Sequence, residues 1–297
     1  LFINFPLWFP ISYIYLAVNY PEKSNFLFIL VLFLFAETHF ASTWLFLFDK
    51  QNWPWLKTNS YKLFFLPLYL IILIAFTWFF TPSLILILHY LASGWHVTKQ
   101  STGILKIYGA NSKIYQFFVY FSSFTCLAIG LKNPGILKST LDFNFINLIL
   151  LVLFISYIAI LTFSLLGKLN KKILIALPLL TGILIYIPIL FFDNLATATA
   201  VGVGMHWCQY IAIMWSMNIR KNLNQKSNLL NLSFTLKRVL FVFLYALIMT
   251  SLAVIGMPNI IKNTTQYSYF YLIPLIFQLY HFYIDGFIWK FSDKHIK

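Results

Sequence analysis

The chain has 297 residues, of which 61% are hydrophobic and only 9% charged, and it carries a formal net charge of +14. Soluble domains carry roughly 25% charged residues, so a water-covered globular surface is excluded and the composition specifies an all-α, polytopic transmembrane helical bundle. The excess of 21 Lys and Arg over 7 Asp and Glu then reads as membrane topology and attraction to anionic headgroups, not as nucleic-acid binding.

In chain order, apolar stretches bounded by polar turns predict about ten spans, at 1–19, 25–48, 63–80, 82–98, 114–131, 145–166, 173–191, 197–218, 239–256 and 267–289. Each is near the ~20 residues that cross ~30 Å of hydrocarbon. Leu1 to Val18 has no basic flank ahead and no small-residue cleavage site behind, so it reads as a span and not a signal peptide. The break at "FTPS", Phe80 to Ser83, is short, with Pro82 at a helix start; merging the two stretches there gives nine spans as the alternative. With residues 49–62 on the cytoplasmic side, ten spans leave only Lys23, Lys132, Lys138 and Lys262 of the 21 basic residues on the other side. The positive-inside rule therefore favours ten, with both termini cytoplasmic and the protein in a cell inner (plasma) membrane.

No internal repeat and no separate soluble domain is visible, so residues 1–297 read as a single integral membrane domain. The longest polar connection is "NIRKNLNQKSNLLNLSFTLKR", and no Walker or Rossmann glycine pattern appears in context. Cys126 and Cys208 lie in apolar runs, which gives no reason to pair them.

Histidines inside apolar runs cost energy unless something uses or neutralises them. Of the six, His39, His89, His96, His206 and His281 fall inside the predicted spans, and His295 falls in the tail. They lie on the second, fourth, eighth and tenth spans, which run in one direction, so similar depth permits convergence on one centre. Each has polar company at helical spacing: Glu37 beside His39, Gln100 one turn after His96, Gln209 and Tyr210 one turn after His206, and Asp285 four residues after His281. Neutral imidazole is the commonest metal ligand, and it usually gives its other N–H to a carboxylate or carbonyl. His39, His96, His206 and His281 are thus candidate ligands, with His89 competing with His96. Asp285 and Glu37 are candidate orienters of the imidazoles or ligands themselves. Imidazole and carboxylate with open positions suit non-haem Fe(II) better than a soft, sulfur-preferring metal. The competing account of each histidine is a helix–helix hydrogen bond. The small residues of "LATATAVGVGMH" read as close helix packing or as room for a ligand beside His206.

Four segments, "ETHFAS", "SGWHVTKQ", "GMHWCQYIAIMW" and "YHFYIDGFIWKF", resemble in order the histidine motifs of the membrane-bound bacterial and archaeal beta-carotene 15,15'-dioxygenases of the Brp/Blh type. The resemblance implies an all-helical membrane fold, histidine-bound iron, dioxygen as co-substrate and cleavage of carotene to retinal. Tyr210 stands where that family's third motif has a second histidine, and the first two motifs lack their aspartates. The expectation is an iron-dependent oxygenase acting on a lipophilic small molecule that enters from the bilayer, with Glu37, Asp285 and Tyr210 serving the reaction. The alternatives are a proton- or ion-coupled transporter and a haem- or pigment-binding subunit with one histidine per separate macrocycle. Membrane lipids are expected partners, and the sequence singles out no protein partner.

Overall fold

A computed structural model describes residues 3, 6–110, 112–131, 169–192, 194–223, 231–261 and 268–288. All regular structure among them is helical: α1 (Trp8–Asn19), α2 (Ser24–Val31), α3 (Thr38–Phe48), α4 (Trp53–Thr58), α5 (Leu66–Phe80), α6 (Pro82–Ile107), α7 (Lys113–Gly130), α8 (Leu169–Leu184), α9 (Leu195–Leu223), α10 (Asn231–Ile261) and α11 (Ser268–Ile288). A π-helical turn, Leu32–Glu37, joins α2 to α3, and a second, Tyr61–Phe65, leads into α5.

The expectation of about ten spans is overturned. Four helical stretches among the described residues are long and apolar enough to cross a membrane: Pro21–Phe48, Tyr61–Phe80, Leu236–Met257 and Ser268–Ile288. They match the expected spans 25–48, 63–80, 239–256 and 267–289. The others fail for physical reasons. The helix in 1–19 has 12 residues, about 18 Å at ~1.5 Å per residue, short of the hydrocarbon thickness. The apolar run in 173–191 breaks where α8 stops and a 3-10 turn, Ile187–Leu190, begins. Helices α6, α7 and α9 are long, but Ser93, His96, Thr98, Gln100 and Ser101 dilute α6, Gln116, Ser122 and Ser123 dilute α7, and Thr197, Thr199, Gly202 and His206 dilute α9. Span 145–166 lies outside the described residues, as does the C-terminal end placed on the cytoplasmic side. Without ten alternating crossings, the charge count no longer fixes the side of either terminus. Four apolar helices of spanning length still make this a multi-pass membrane protein.

The chain divides into two compact units, one of Leu1–Ser24 and Gly94–Gln209, the other of Asn25–Ser93 and Tyr210–Lys297. In the first unit, α7 packs on α8 and on the 3-10 turn after it. Leu105, Val119, Leu179 and Ile183 form its apolar core. The small-residue stretch of α9 serves packing here. A Cβ at Gly202 would collide with the carbonyl oxygen of Ile185, and one at Gly204 would collide with the ring of Phe9. Only glycine lets those groups approach so closely. Polar side chains of α6 are satisfied within their own helix: Thr98 Oγ1 donates to the Gly94 carbonyl at 2.7 Å and Ser101 Oγ to that of Val97 at 2.9 Å.

In the second unit, α10 packs along α11, and both contact α3. Trp44 of α3 sits among Tyr245, Phe277 and Tyr280, with ring centroids 5.2–6.5 Å apart. Helix α5 is held to α11 by a cluster of Trp78, Ile85, Leu272 and Leu275. Pro67 lacks an N–H and so leaves carbonyls of the preceding turn without a helical donor. Two tyrosines of α11 replace it: Tyr280 donates to the Leu63 carbonyl and Tyr283 to that of Lys62, the latter at 2.8 Å. In hydrocarbon such substitution is obligatory, because an unsatisfied carbonyl has no water to turn to.

Candidate metal centre

Helix α3 begins directly after the π turn, and its buried face carries His39 and Thr43. One extra residue in a helical turn re-aims the side chains that follow, and such turns recur at functional sites. Helix α11 brings His281 and Asp285, four residues apart and therefore on one face. Tyr210 joins them from α9. All five are buried within the second unit.

Thr43 is the hub of this group. Its Oγ1 lies 2.6 Å from the Tyr210 hydroxyl, 2.7 Å from His281 Nδ1 and 3.2 Å from Asp285 Oδ1. The Tyr210 hydroxyl donates to the same Asp285 oxygen at 3.0 Å. A threonine hydroxyl has one proton and two lone pairs. One consistent assignment has His281 Nδ1–H donating to Thr43, and Thr43 donating onward. That tautomer turns the lone pair of His281 to Nε2, which lies 3.6 Å from Asp285 Oδ2. An imidazole nitrogen and a carboxylate oxygen presented to each other in this way form a set suited to a cation. His39 stacks edge-on against both Tyr210 and His281, with centroids 4.4 and 4.5 Å apart.

In the first unit, α6 and α9 supply His96 and His206, whose rings meet edge-on at a centroid distance of 5.6 Å. Both are buried. Clustering of this kind does not suit the alternative of one imidazole per separate macrocycle.

Each unit thus carries buried side chains of metal-ligand type: His96 and His206 in the first, and His39, His281 and Asp285 in the second. The donor set is imidazole and carboxylate; among the described residues neither Cys126 nor Cys208 joins it. Such a set is consistent with iron coordination and unlike a thiolate-rich structural zinc site.

Of the candidate residues, His39, His281 and Asp285 come together with Tyr210 in the second unit, and His96 meets His206 in the first. Glu37 and His89 are brought together elsewhere. Glu37 Oε1 accepts from Gln278 Nε2 at 3.1 Å, and Gln278 Oε1 pairs with His89 Nε2 at 2.8 Å. Because the Gln278 oxygen can only accept, His89 carries its proton on Nε2. Glu37 Oε2 has no hydrogen-bond partner among the described residues although the side chain is buried. Gln209 Nε2 donates to the Ile3 carbonyl at 2.8 Å. The sequence places Ser42 and Thr43 one turn after His39 as polar company and gives Thr43 no role in the site. A threonine one turn after a histidine was the only available signal, and it does not distinguish a bond to another helix from one to the residue's own helix.

No family model, no curated protein and no solved structure matches this chain. What it presents is buried imidazoles and a buried carboxylate of metal-ligand type in an all-α membrane protein, consistent with the non-haem iron membrane metalloenzymes as a class and with no one family among them.

Proposed function

We propose that this chain is an iron-dependent membrane oxygenase acting on a lipophilic substrate drawn from the bilayer, with cleavage of a carotenoid to retinal-like aldehydes as its specific form. What supports the reading is the buried group of His39, His281 and Asp285 in the second unit, with the buried His96–His206 pair in the first. The carotenoid form draws on the resemblance of the four histidine segments to the Brp/Blh-type dioxygenases. Residues 1–297 would act as one integral domain of a cell inner (plasma) membrane.

His39, His96, His206 and His281 would hold the iron, with Asp285 as ligand or as the carboxylate that sets imidazole orientation. When bound, Fe(II) supplies the one-electron chemistry that dioxygen needs to react with a closed-shell hydrocarbon. The protein's own part is placement. Thr43 fixes the His281 tautomer through Nδ1, and Tyr210 holds Asp285 by donation to Oδ1. Tyr210, standing where the resembling family has a histidine, serves the carboxylate. Glu37 pairs with Gln278 of α11, a contact that steadies helix packing and takes no part in holding the metal. The surrounding apolar side chains exclude water and admit a substrate laterally.

The test is metal content by mass spectrometry on the full chain purified in detergent without chelators, beside His206→Ala and His281→Ala. Near-stoichiometric iron in the parent, lost in both variants, is the expected result, followed by aldehyde formation from beta-carotene under dioxygen. Absence of any bound transition metal from the parent, with both variants folded, would overturn the reading. A proton-coupled transporter would then be favoured by Glu37, whose buried Oε2 lacks a hydrogen-bond partner among the described residues.

A further inference from the structure

The second unit contains a cavity of about 410 Å³ that none of the candidate metal ligands lines. The volume falls toward the lower end of the roughly 300–1,000 Å³ typical of small-molecule sites. Its walls are mainly apolar, with Leu34 from the π turn, Leu45 from α3, Met214 from α9 and Val242 from α10. Phe33 and Phe243 also line it and meet edge-on at 5.4 Å.

The charged groups of the cavity are confined to one end; Thr38 and Ser42 line it elsewhere, with their hydroxyls donating to the Leu34 and Thr38 carbonyls of their own helical stretch. Asp49, Asn52 and Arg238 all line it. Asp49 directly follows the candidate span Pro21–Phe48, and Arg238 is the third residue of the candidate span Leu236–Met257. The two span ends define one membrane boundary, where a charged head belongs while its stem lies along apolar surface. Asn52 is fixed at this mouth by donating to the Phe46 carbonyl at 2.7 Å. Asp49 is an electrostatic neighbour of Arg238, so the mouth offers a cation and an anion in balance.

That balance selects the ligand. A carboxylate or phosphate head would gain from Arg238 and lose against Asp49, and an ammonium head would do the reverse. A hydroxyl can accept from the guanidinium and donate to the carboxylate at once. We propose that this cavity is a binding site for a single-chain lipid with an uncharged, hydroxyl-bearing head, its chain running inward from the Asp49–Arg238 mouth toward Phe33 and Phe243. None of the candidate metal ligands lines the site, and it does not depend on the oxygenase reading.

The test uses the full chain in phosphatidylcholine nanodiscs and a photoactivatable monoacylglycerol, with labelled peptides mapped by mass spectrometry. Labelling is expected to concentrate on 33–49, 211–217 and 238–243, to be displaced by unlabelled monoacylglycerol, and to resist an equal amount of the matching fatty acid. Val242→Trp, which fills the cavity, should reduce it at least tenfold. Met214→Trp fills it from another helix and serves if the first variant does not fold. Equal labelling of lipid-facing α5 would mark annular lipid and overturn the proposal. Equal displacement by the fatty acid would overturn the head-group assignment, and unchanged labelling in both folded tryptophan variants would overturn the site. Iron content of the same samples reports separately on the metal centre.

Discussion

Two buried polar networks of the second unit share a helix, yet they are built for different work. The first joins Thr43, Tyr210, His281 and Asp285; the second runs from Glu37 through Gln278 to His89. Both place a carboxylate and an imidazole inside apolar surroundings. In the second network an amide stands between them, donating to one and accepting from the other, so each charge-capable group is occupied by a neutral partner. In the first, hydroxyls occupy Asp285 Oδ1 and His281 Nδ1, while His281 Nε2 and Asp285 Oδ2 lie 3.6 Å apart. Buried polarity alone therefore does not mark a metal site. What marks it is where the hydroxyl and amide partners are placed, and which atoms they leave to one another.

The comparison breaks most easily at the ligands. Asp285→Asn keeps the shape of the side chain and removes its charge; bound iron should fall to background in mass spectrometry while the protein stays folded, and retention of full iron would remove Asp285 from the centre. Thr43→Val should act more gently, lowering iron affinity by about 10–100-fold through loss of the group that holds the His281 tautomer, as read by chelator competition. An unchanged affinity would reduce Thr43 to packing.

The second network should answer in stability and not in metal. Gln278→Leu leaves Glu37 and His89 without their shared partner, which costs about 1–3 kcal/mol for each group stranded in the interior. A lowered melting temperature with unchanged iron content is expected, and loss of iron would merge the two networks into one. Smallest of all, Tyr280→Phe removes the replacement donor for the Leu63 carbonyl and should cost about 0.5–1.5 kcal/mol. Metal content should not move, and a melt as stable as the parent would show that the carbonyl finds another donor.

These contrasts also explain what could be read from the chain. His39, His96, His206, His281 and Asp285 were legible because each interrupts a strongly apolar run, and that cost is visible without coordinates. Their separation from Glu37 and His89 was not. Glu37 lies two residues from His39, but the π turn and the Gln278 amide across the helix pair send it elsewhere, and neither leaves a mark in spacing. Thr43 was hidden by its own kind: Ser42, Thr98 and Ser101 all donate to carbonyls of their own helix, the usual fate of a hydroxyl there. The span count failed for a related reason. A window of about twenty apolar residues hides the difference between α10, strongly apolar over most of Val239–Met257, and α6, whose second half is rich in hydroxyls and amides.

The π turn at Leu32–Glu37 has a consequence for how this span tolerates change. A residue inserted or deleted in a regular helix turns everything beyond it by about 100°, which in a packed membrane span would swing His39 and Thr43 away from their partners. A π turn already accommodates a residue more than the α-helix would. Deleting one residue there, Leu34 for instance, would relax the turn toward α geometry and move the N-terminal half by the smallest rotation available, leaving α3 in phase with α11. Length variation in this span is thus channelled into the one turn that can absorb it, ahead of the first metal-type residue and not behind it.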